Sequence, residues 1–397
     1  MISFDNTEIA FRSKNKQDLQ RAYLLFKIIG WPRLVKMAKV LTPLALSLKL
    51  PIQGLIKKTI FKQFCGGETI DECDHTIEYL NAYGIGTILD YSVEGKTQEE
   101  EFEQTTQIII QTIEKSATDS AIPFAVFKVT GIAQHHFIEL ESNRLRAKRK
   151  GVEFRELNND EKSGITAILA RIDRICAAAA QHQTRLFIDA EESWIQTAID
   201  QWTYDMMRKY NTTQCIVYNT IQMYRHDRLA YLKAECERAK KDGIYYGVKL
   251  VRGAYMEKER ARAKELGYPS PIQPDKASTD HDYNAALEYI VANKDVFSVC
   301  AGTHNEQSSM HLATLLSKEG IDAQNPQFYF AQLLGMSDHI SYNLSDAGYQ
   351  VAKYVPFGPV REVLPYLLRR ADENTSVAGQ TSRELGLLMK EKARRAK

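Results

Sequence analysis

Two arginines stand side by side near the C-terminus, in KYVPFGPVREVLPYLLRRADENTS at residues 353–376. Tyr366 and Glu373 lie within about one turn of Arg369 and Arg370. Neighbouring residues on a helix are about 100° apart, so both guanidiniums can reach one carboxylate over the helix flank. Their planar forks match a planar anion. Cations that merely complement a helix C-terminus would look the same in isolation. Pro359 suits the first helical position. Val360, Val363, Leu364, Leu367, Leu368 and Ala371 supply the stripe that would be buried.

A lysine inside an apolar run is the second chemical signal. Lys128 in AVFKVTG must find a partner or lose its charge, because burying an unpaired ammonium is very costly. It reads as a structural partner of a carboxylate such as Asp189, as an anion ligand, or as a Schiff-base lysine. In KLVRGAYMEKER (249–260), Gly253 permits close backbone approach to a ligand. The helix that follows offers free N–H groups to a phosphate, and Lys249 and Arg252 add positive charge. His304 in AGTHNE lacks a matching second ligand, so no metal site is expected.

These residues need a frame that brings them together. Short β-branched or aromatic runs recur at 87–92, 124–130, 185–191, 214–220, 245–252, 296–304, 327–335 and 351–358. Stretches with helical periodicity intervene, among them 98–118, 160–182, 193–210 and 222–242, with Gly243 a C-cap candidate. Near-continuous apolar strands suit a parallel sheet covered on both faces. Strand–helix units in this number predict an α/β fold, a (β/α)8 TIM-like barrel, whose chemistry sits at the C-terminal strand ends. Those ends carry Asp90 and Glu94, then Lys128, then Asp189 with Glu191 and Glu192. Asn219 and Gln222, then Lys249, Arg252 and Tyr255, then Thr303, His304 and Asn305 follow, with Tyr354 in the last strand. No GxxxxGK[ST] is present, and the one glycine-rich candidate, YGIGT, precedes its strand. A doubly wound nucleotide-binding sheet is therefore disfavoured.

Composition sets the remaining bounds. In 397 residues, 44% are hydrophobic and 26% charged, ordinary values for a globular chain. A net charge of +2 argues against a general nucleic-acid binder. Six cysteines without CxxC spacing suit a reduced compartment. The N-terminus shows neither a secretory signal nor a transit peptide, and no run approaches the ~20 apolar residues of a membrane helix. A cytoplasmic location is expected, with a peripheral inner-membrane association in view, or a mitochondrial one if the source is eukaryotic. Residues 1–75 read as a basic α-helical extension and 76–397 as the catalytic barrel. The extension's amphipathic helices suit packing on the barrel or contact with anionic lipid.

FIDAEES, KLVRGAY, THNE, QLLGM and the long 353–376 stretch, in this order, resemble the proline dehydrogenase family, FAD-dependent flavoenzymes on a (β/α)8 barrel. The resemblance runs from about Gly84 to Ser376 and includes the basic N-terminus of the eukaryote-like branch. It implies that Arg369, Arg370 and Lys128 hold a substrate carboxylate. Tyr255, Tyr354, Tyr366 and Leu333 would wrap the pyrrolidine ring, while Asp189 and Glu373 set the cationic cluster. Glu94 would gate the site from the first βα loop. Asn219, Gln222, Lys249, Arg252, Gly253, Ala254, Thr303, His304 and Asn305 match FAD-contacting positions. Many bacterial members carry Arg where this chain has Lys249, a point charge without the planar fork.

The implied reaction is oxidation of L-proline to Δ1-pyrroline-5-carboxylate by hydride transfer from C5 to FAD N5, the first step of proline catabolism. Electrons would pass to a membrane quinone. The length leaves no room for the aldehyde dehydrogenase module of bifunctional relatives, so a monofunctional enzyme is expected, with a pyrroline-5-carboxylate dehydrogenase as functional partner. Hydroxyproline dehydrogenase is the nearest rival, and a bulky Tyr354 argues for the unsubstituted ring. From other classes come a Schiff-base aldolase using Lys128 or Lys249 and a non-enzymatic membrane adaptor.

Overall fold

Eight parallel strands close into a barrel in the order β1 to β8, the arrangement expected from the eight apolar runs. They are β1 (Ile85–Tyr91), β2 (Phe124–Lys128), β3 (Arg185–Asp189), β4 (Val217–Gln222), β5 (Tyr246–Val251), β6 (Phe297–Gly302), β7 (Phe328–Leu333) and β8 (Val351–Phe357). The structure, a computed structural model, describes residues 2–31, 33, 37, 38, 42, 52–93, 95–376 and 380–396, without the side chains of 371–376 and 380–382. The chain divides into two compact units, Met1–Glu94 with Ala331–Lys397, and Gly95–Phe330.

Strand register sets which residues meet inside the second unit. Lys128 pairs with Asp189 across β2 and β3, and Thr220 with Lys249 across β4 and β5. Side chains alternate between faces along a strand. Phe187 and Asp189 of β3 therefore share the inner face with Tyr218, Thr220 and Gln222 of β4. Phe124 stacks on Phe187 with centroids 4.4 Å apart, and Tyr218 meets both rings edge-on. Gly247 makes room for this layer, because a Cβ there would clash with the Tyr218 ring. Helices Glu99–Thr118, Asn159–Gln181 and Ser193–Tyr210 fall close to their predicted bounds. The helix expected from 222 begins instead at Arg228, since Gln222 still belongs to β4. Gly243 ends that helix in the left-handed conformation at φ 66°.

The first unit joins the helices before β1 to those after β8. Helix Lys16–Ile29 starts at Asn15, whose side chain accepts from the Asp18 N–H. Its apolar face, Leu19, Ala22 and Phe26, packs with Phe11, Leu387 and Leu388. The segment Gln53–Phe64 is helical with one π turn over Lys57–Phe61. Its Ile56, Phe61 and Phe64 form a cluster with Val360, Val363, Leu364 and Leu367. The last of these residues belong to the helix Leu364–Ser376, which opens later than expected. Pro359 instead starts a turn, its carbonyl accepting from the Glu362 and Val363 N–H groups at 2.8 and 3.1 Å. Pro365 takes the early helical position, where a missing N–H costs nothing.

Candidate active site

An ion pair lies inside the barrel wall of the second unit. Lys249 Nζ is 2.5 Å from Asp189 Oδ1, both side chains being about 10% exposed. Thr220 Oγ1 donates to the same carboxylate oxygen at 3.2 Å, and Lys249 Nζ also lies 5.2 Å from the Phe187 ring centroid. β3 to β5 thus project a carboxylate, an ammonium and a hydroxyl to one place, with Lys128 in register beside Asp189. Thr220 is a member that strand alternation alone does not reveal, since it also requires the β3–β4 register. Asn219 is turned the other way. Its amide donates to Asp200 at 3.1 Å, to Tyr246 at 3.3 Å and to Tyr231 at 3.4 Å, on the helical side of β4.

Glu191, just past β3, ties three strand ends together. Its carboxylate accepts from the Thr130 N–H at 3.0 Å and from Thr130 Oγ1. Its carbonyl accepts from Gln222 Nε2 at 2.7 Å, and its own N–H donates to Gln196 Oε1 at 2.7 Å. Burial pushes the carboxyl from the ordinary 4.5 up to about 7. The Thr130 hydrogen bonds oppose this, Glu192 adds to it, and Lys128 opposes it. With the folded pKa above the unfolded one, the folded state binds the extra proton between about 4.5 and about 7. Stability from this group therefore falls as pH rises through that window. Glu191→Gln is expected to flatten the pH 4.5–7 dependence of unfolding by on the order of 3 kcal/mol. Urea midpoints of both proteins across this range measure it; an unchanged slope would mean that Glu191 is ionised throughout.

Beyond β5 and β6 the groups that could take an anion converge. Arg252 donates from Nε to Asp280 at 2.8 Å, from Nη1 to Thr303 Oγ1 at 2.6 Å and from Nη2 to Ser308 Oγ at 2.9 Å, with its guanidinium 4.4 Å from the Tyr283 ring centroid. Asn305 caps the helix Glu306–Lys318, its Oδ1 accepting from the Ser308 N–H at 3.0 Å, and its own N–H donates to Thr303 Oγ1. Arg252 is thereby fixed beside a helix N-terminus, where the dipole favours negative charge. Gly253 has φ 136°, a backbone reserved for glycine, and a Cβ there would clash with the Tyr224 ring. Ala254 is exposed, Tyr255 and His304 are half-buried, and Gln222 is buried with its amide on Glu191. This donor set fits the pyrophosphate of a dinucleotide such as FAD.

In the first unit Arg370 is buried, its guanidinium 5.0 Å from the centroid of the equally buried Tyr366 ring, while Arg369 is half-buried. The i, i+4 spacing accounts for the stack. Tyr354 on β8 is buried and Leu333 ends β7 half-buried; the Tyr354 carbonyl accepts from the Leu334 N–H at 2.9 Å. Glu94 and the side chain of Glu373 lie outside the described residues.

Charged strand ends on a closed barrel are the arrangement of a barrel enzyme. The sequence profile of the proline dehydrogenase family matches residues 73–383. The chain is 32% identical over 423 residues to the hydroxyproline dehydrogenase of Xenopus laevis, covering 99% of this chain and 90% of that protein. It is 36% identical over 385 residues to mitochondrial proline dehydrogenase 1 of Dictyostelium discoideum, covering 88% and 67%. Among solved structures, proline utilization A of Bdellovibrio bacteriovorus superposes with a TM-score of 0.71 at 19% identity, covering 93% of this chain. This chain spans 38% of that larger protein, and the likeness shows the barrel fold. The chain belongs to the proline dehydrogenase family, oxidoreductases that are typically FAD-dependent.

Proposed function

We propose that this chain oxidises L-proline to Δ1-pyrroline-5-carboxylate with FAD as its cofactor. The observation that carries the reading is the cluster of Arg252, Thr303 and Asn305 at a helix N-terminus beside Gly253, in a chain that matches this family over 73–383. Bound FAD supplies a two-electron acceptor. The protein's share is binding and orientation. Arg369 and Arg370 take the substrate carboxylate through charge-assisted hydrogen bonds, and Lys128 is a further carboxylate ligand. Tyr255, Tyr354, Tyr366 and Leu333 close on the ring and exclude water. Asp189 holds Lys249 in place at 2.5 Å. Glu373 orients the arginines, and Glu94 gates entry. Lys249, Arg252, Gly253, Ala254, Gln222, Thr303, His304 and Asn305 hold the cofactor, and Asn219 supports β4 from its helical side.

A second reading, oxidation of hydroxyproline, draws on the 32% identity to the Xenopus hydroxyproline dehydrogenase. Tyr354 speaks for proline, because its buried ring would crowd a hydroxyl on the substrate. Rates on L-proline and on trans-4-hydroxy-L-proline, measured side by side, are expected to favour proline at least about tenfold in kcat/KM. The opposite preference would transfer the assignment to hydroxyproline.

Electrons leave, in this reading, to a membrane quinone. Support comes from the helix Lys16–Ile29 and the residues just after it. Leu24, Ile28 and Trp31 are 46%, 55% and 59% exposed at i, i+4, i+7 spacing, with Lys27 adjacent. An apolar stripe bordered by lysine suits an anionic lipid surface. Among the described residues no helix is long and apolar enough to cross a membrane.

A further inference from the structure

The turn after β7, from Leu333 to Asp338, is held from several directions by side chains of the first unit. Lys353 is on β8 next to Tyr354 and is fully buried, facing away from the barrel interior because adjacent strand residues point to opposite faces. Its Nζ donates to the Met336 carbonyl at 2.6 Å and the Leu333 carbonyl at 3.4 Å, and lies 2.9 Å from Asp338 Oδ1. The other Asp338 oxygen is 3.0 Å from Lys14 Nζ. Gln63 Nε2 donates to the Gly335 carbonyl at 2.9 Å, and Gly335, at φ 76°, packs so closely that a Cβ would overlap the Gln63 backbone. The Ser337 N–H donates to Glu384 Oε1.

Two features mark this turn as more than a loop. Ser337 has φ 51°, a left-handed conformation that non-glycine residues keep only when their surroundings over-determine it. The groups that do so are the buried Lys353, Asp338 and Glu384 together with the half-buried Lys14. Burial alone would push the Asp338 carboxyl up, yet Lys14 and Lys353 hold it well below the usual carboxylate range. Burial pushes the Glu384 carboxyl up, with His339, Asp338 and the Ser337 N–H acting on it in turn. Lys14 itself is anchored by its neighbours. Arg395 donates to the Lys14 carbonyl at 2.6 Å and the Phe11 carbonyl at 2.8 Å, and Arg12 pairs with Asp346 at 2.6 Å.

We propose that Lys14, Lys353, Asp338 and Glu384 form a positioning cluster. Through it the N-terminal segment and the C-terminal helix Gln380–Ala396 fix the Leu333–Ser337 turn, and with it the specificity wall made by Leu333 and Tyr354. The inference rests on the reading of Leu333 and Tyr354 as substrate-facing residues. It gives the N-terminal extension a task in substrate recognition that is independent of lipid. Neither Lys14 nor Asp338 touches the substrate in this account; they act through the backbone of the turn.

The test uses the full-length, flavin-loaded protein with Lys14→Met and Lys14→Arg. Hydrogen exchange reports the amides of residues 334–337, and steady-state rates report KM and kcat on L-proline. A five-membered-ring carboxylate without the amine serves as competitive inhibitor. Lys14→Met is expected to speed exchange in the turn about tenfold. It should raise both KM and the inhibition constant about 5- to 20-fold, with kcat within about twofold and flavin content unchanged. Lys14→Arg should restore all three. Unchanged exchange in Lys14→Met overturns the cluster, and so does faster exchange with unaltered KM and inhibition constant. If the parent protein turns over no proline, the substrate reading fails by itself, and the exchange result still decides whether the cluster holds the turn.

Discussion

Arg370→Met is expected to lower kcat/KM for L-proline by roughly 2–4 kcal/mol, about 30- to 900-fold, mostly through KM. Flavin content should stay at the parental level. Arg370 is buried and lies 5.0 Å from the Tyr366 ring, so its fork is held in place before substrate arrives. A pre-oriented guanidinium loses little freedom on binding a carboxylate. Arg370→Lys keeps the charge and gives up both the fork and the stacked plane, and should recover only a small part of the loss. Arg369 is half-buried, and its replacement should follow the same pattern with a smaller effect. Near-parental kcat/KM in Arg370→Met would remove it from the carboxylate clamp.

Lys249→Met is expected to be the most destabilising change at the candidate site. The Asp189–Lys249 pair is buried with 2.5 Å between charged atoms, and Thr220 shares the acceptor oxygen. Removing one partner of a buried pair typically costs about 3–5 kcal/mol, because the remaining charge stays desolvated. The double variant Asp189→Asn/Lys249→Met removes both charges and should be more stable than the sum of the single losses predicts by about 1–3 kcal/mol. Urea unfolding of the four proteins gives that coupling directly. Lys249→Arg retains the charge and should lose less than the methionine variant. Additive losses would show that the two side chains do not support one another.

Much of the barrel was legible because buried parallel strands are written as apolar runs, and all eight formed within a few residues of where the runs lie. Element starts were less legible. Two prolines compete to open the last barrel helix, and the choice of Pro365 over Pro359 depends on a turn closed by backbone hydrogen bonds. Gln222 looked like the start of a helix because its strand ends in polar residues. For the candidate site, residue types at strand ends pointed to the right stretches, while facing direction needed the registers. One residue of phase separates Thr220, bonded to Asp189, from Asn219, bonded to Asp200 on the helical side. The Lys14–Asp338–Lys353 cluster has no local signature, since its members come from opposite ends of the chain and meet only in the fold.

The central claim, a flavin-dependent proline oxidation carried by this barrel, is tested most directly by anaerobic addition of L-proline to the purified protein. The protein should be yellow, absorbing near ~450 nm as oxidised flavins do. That band should bleach with L-proline and return when an artificial quinone is added. A colourless protein that traps a carbonyl substrate with borohydride, or a yellow one that proline leaves unbleached, would contradict the account.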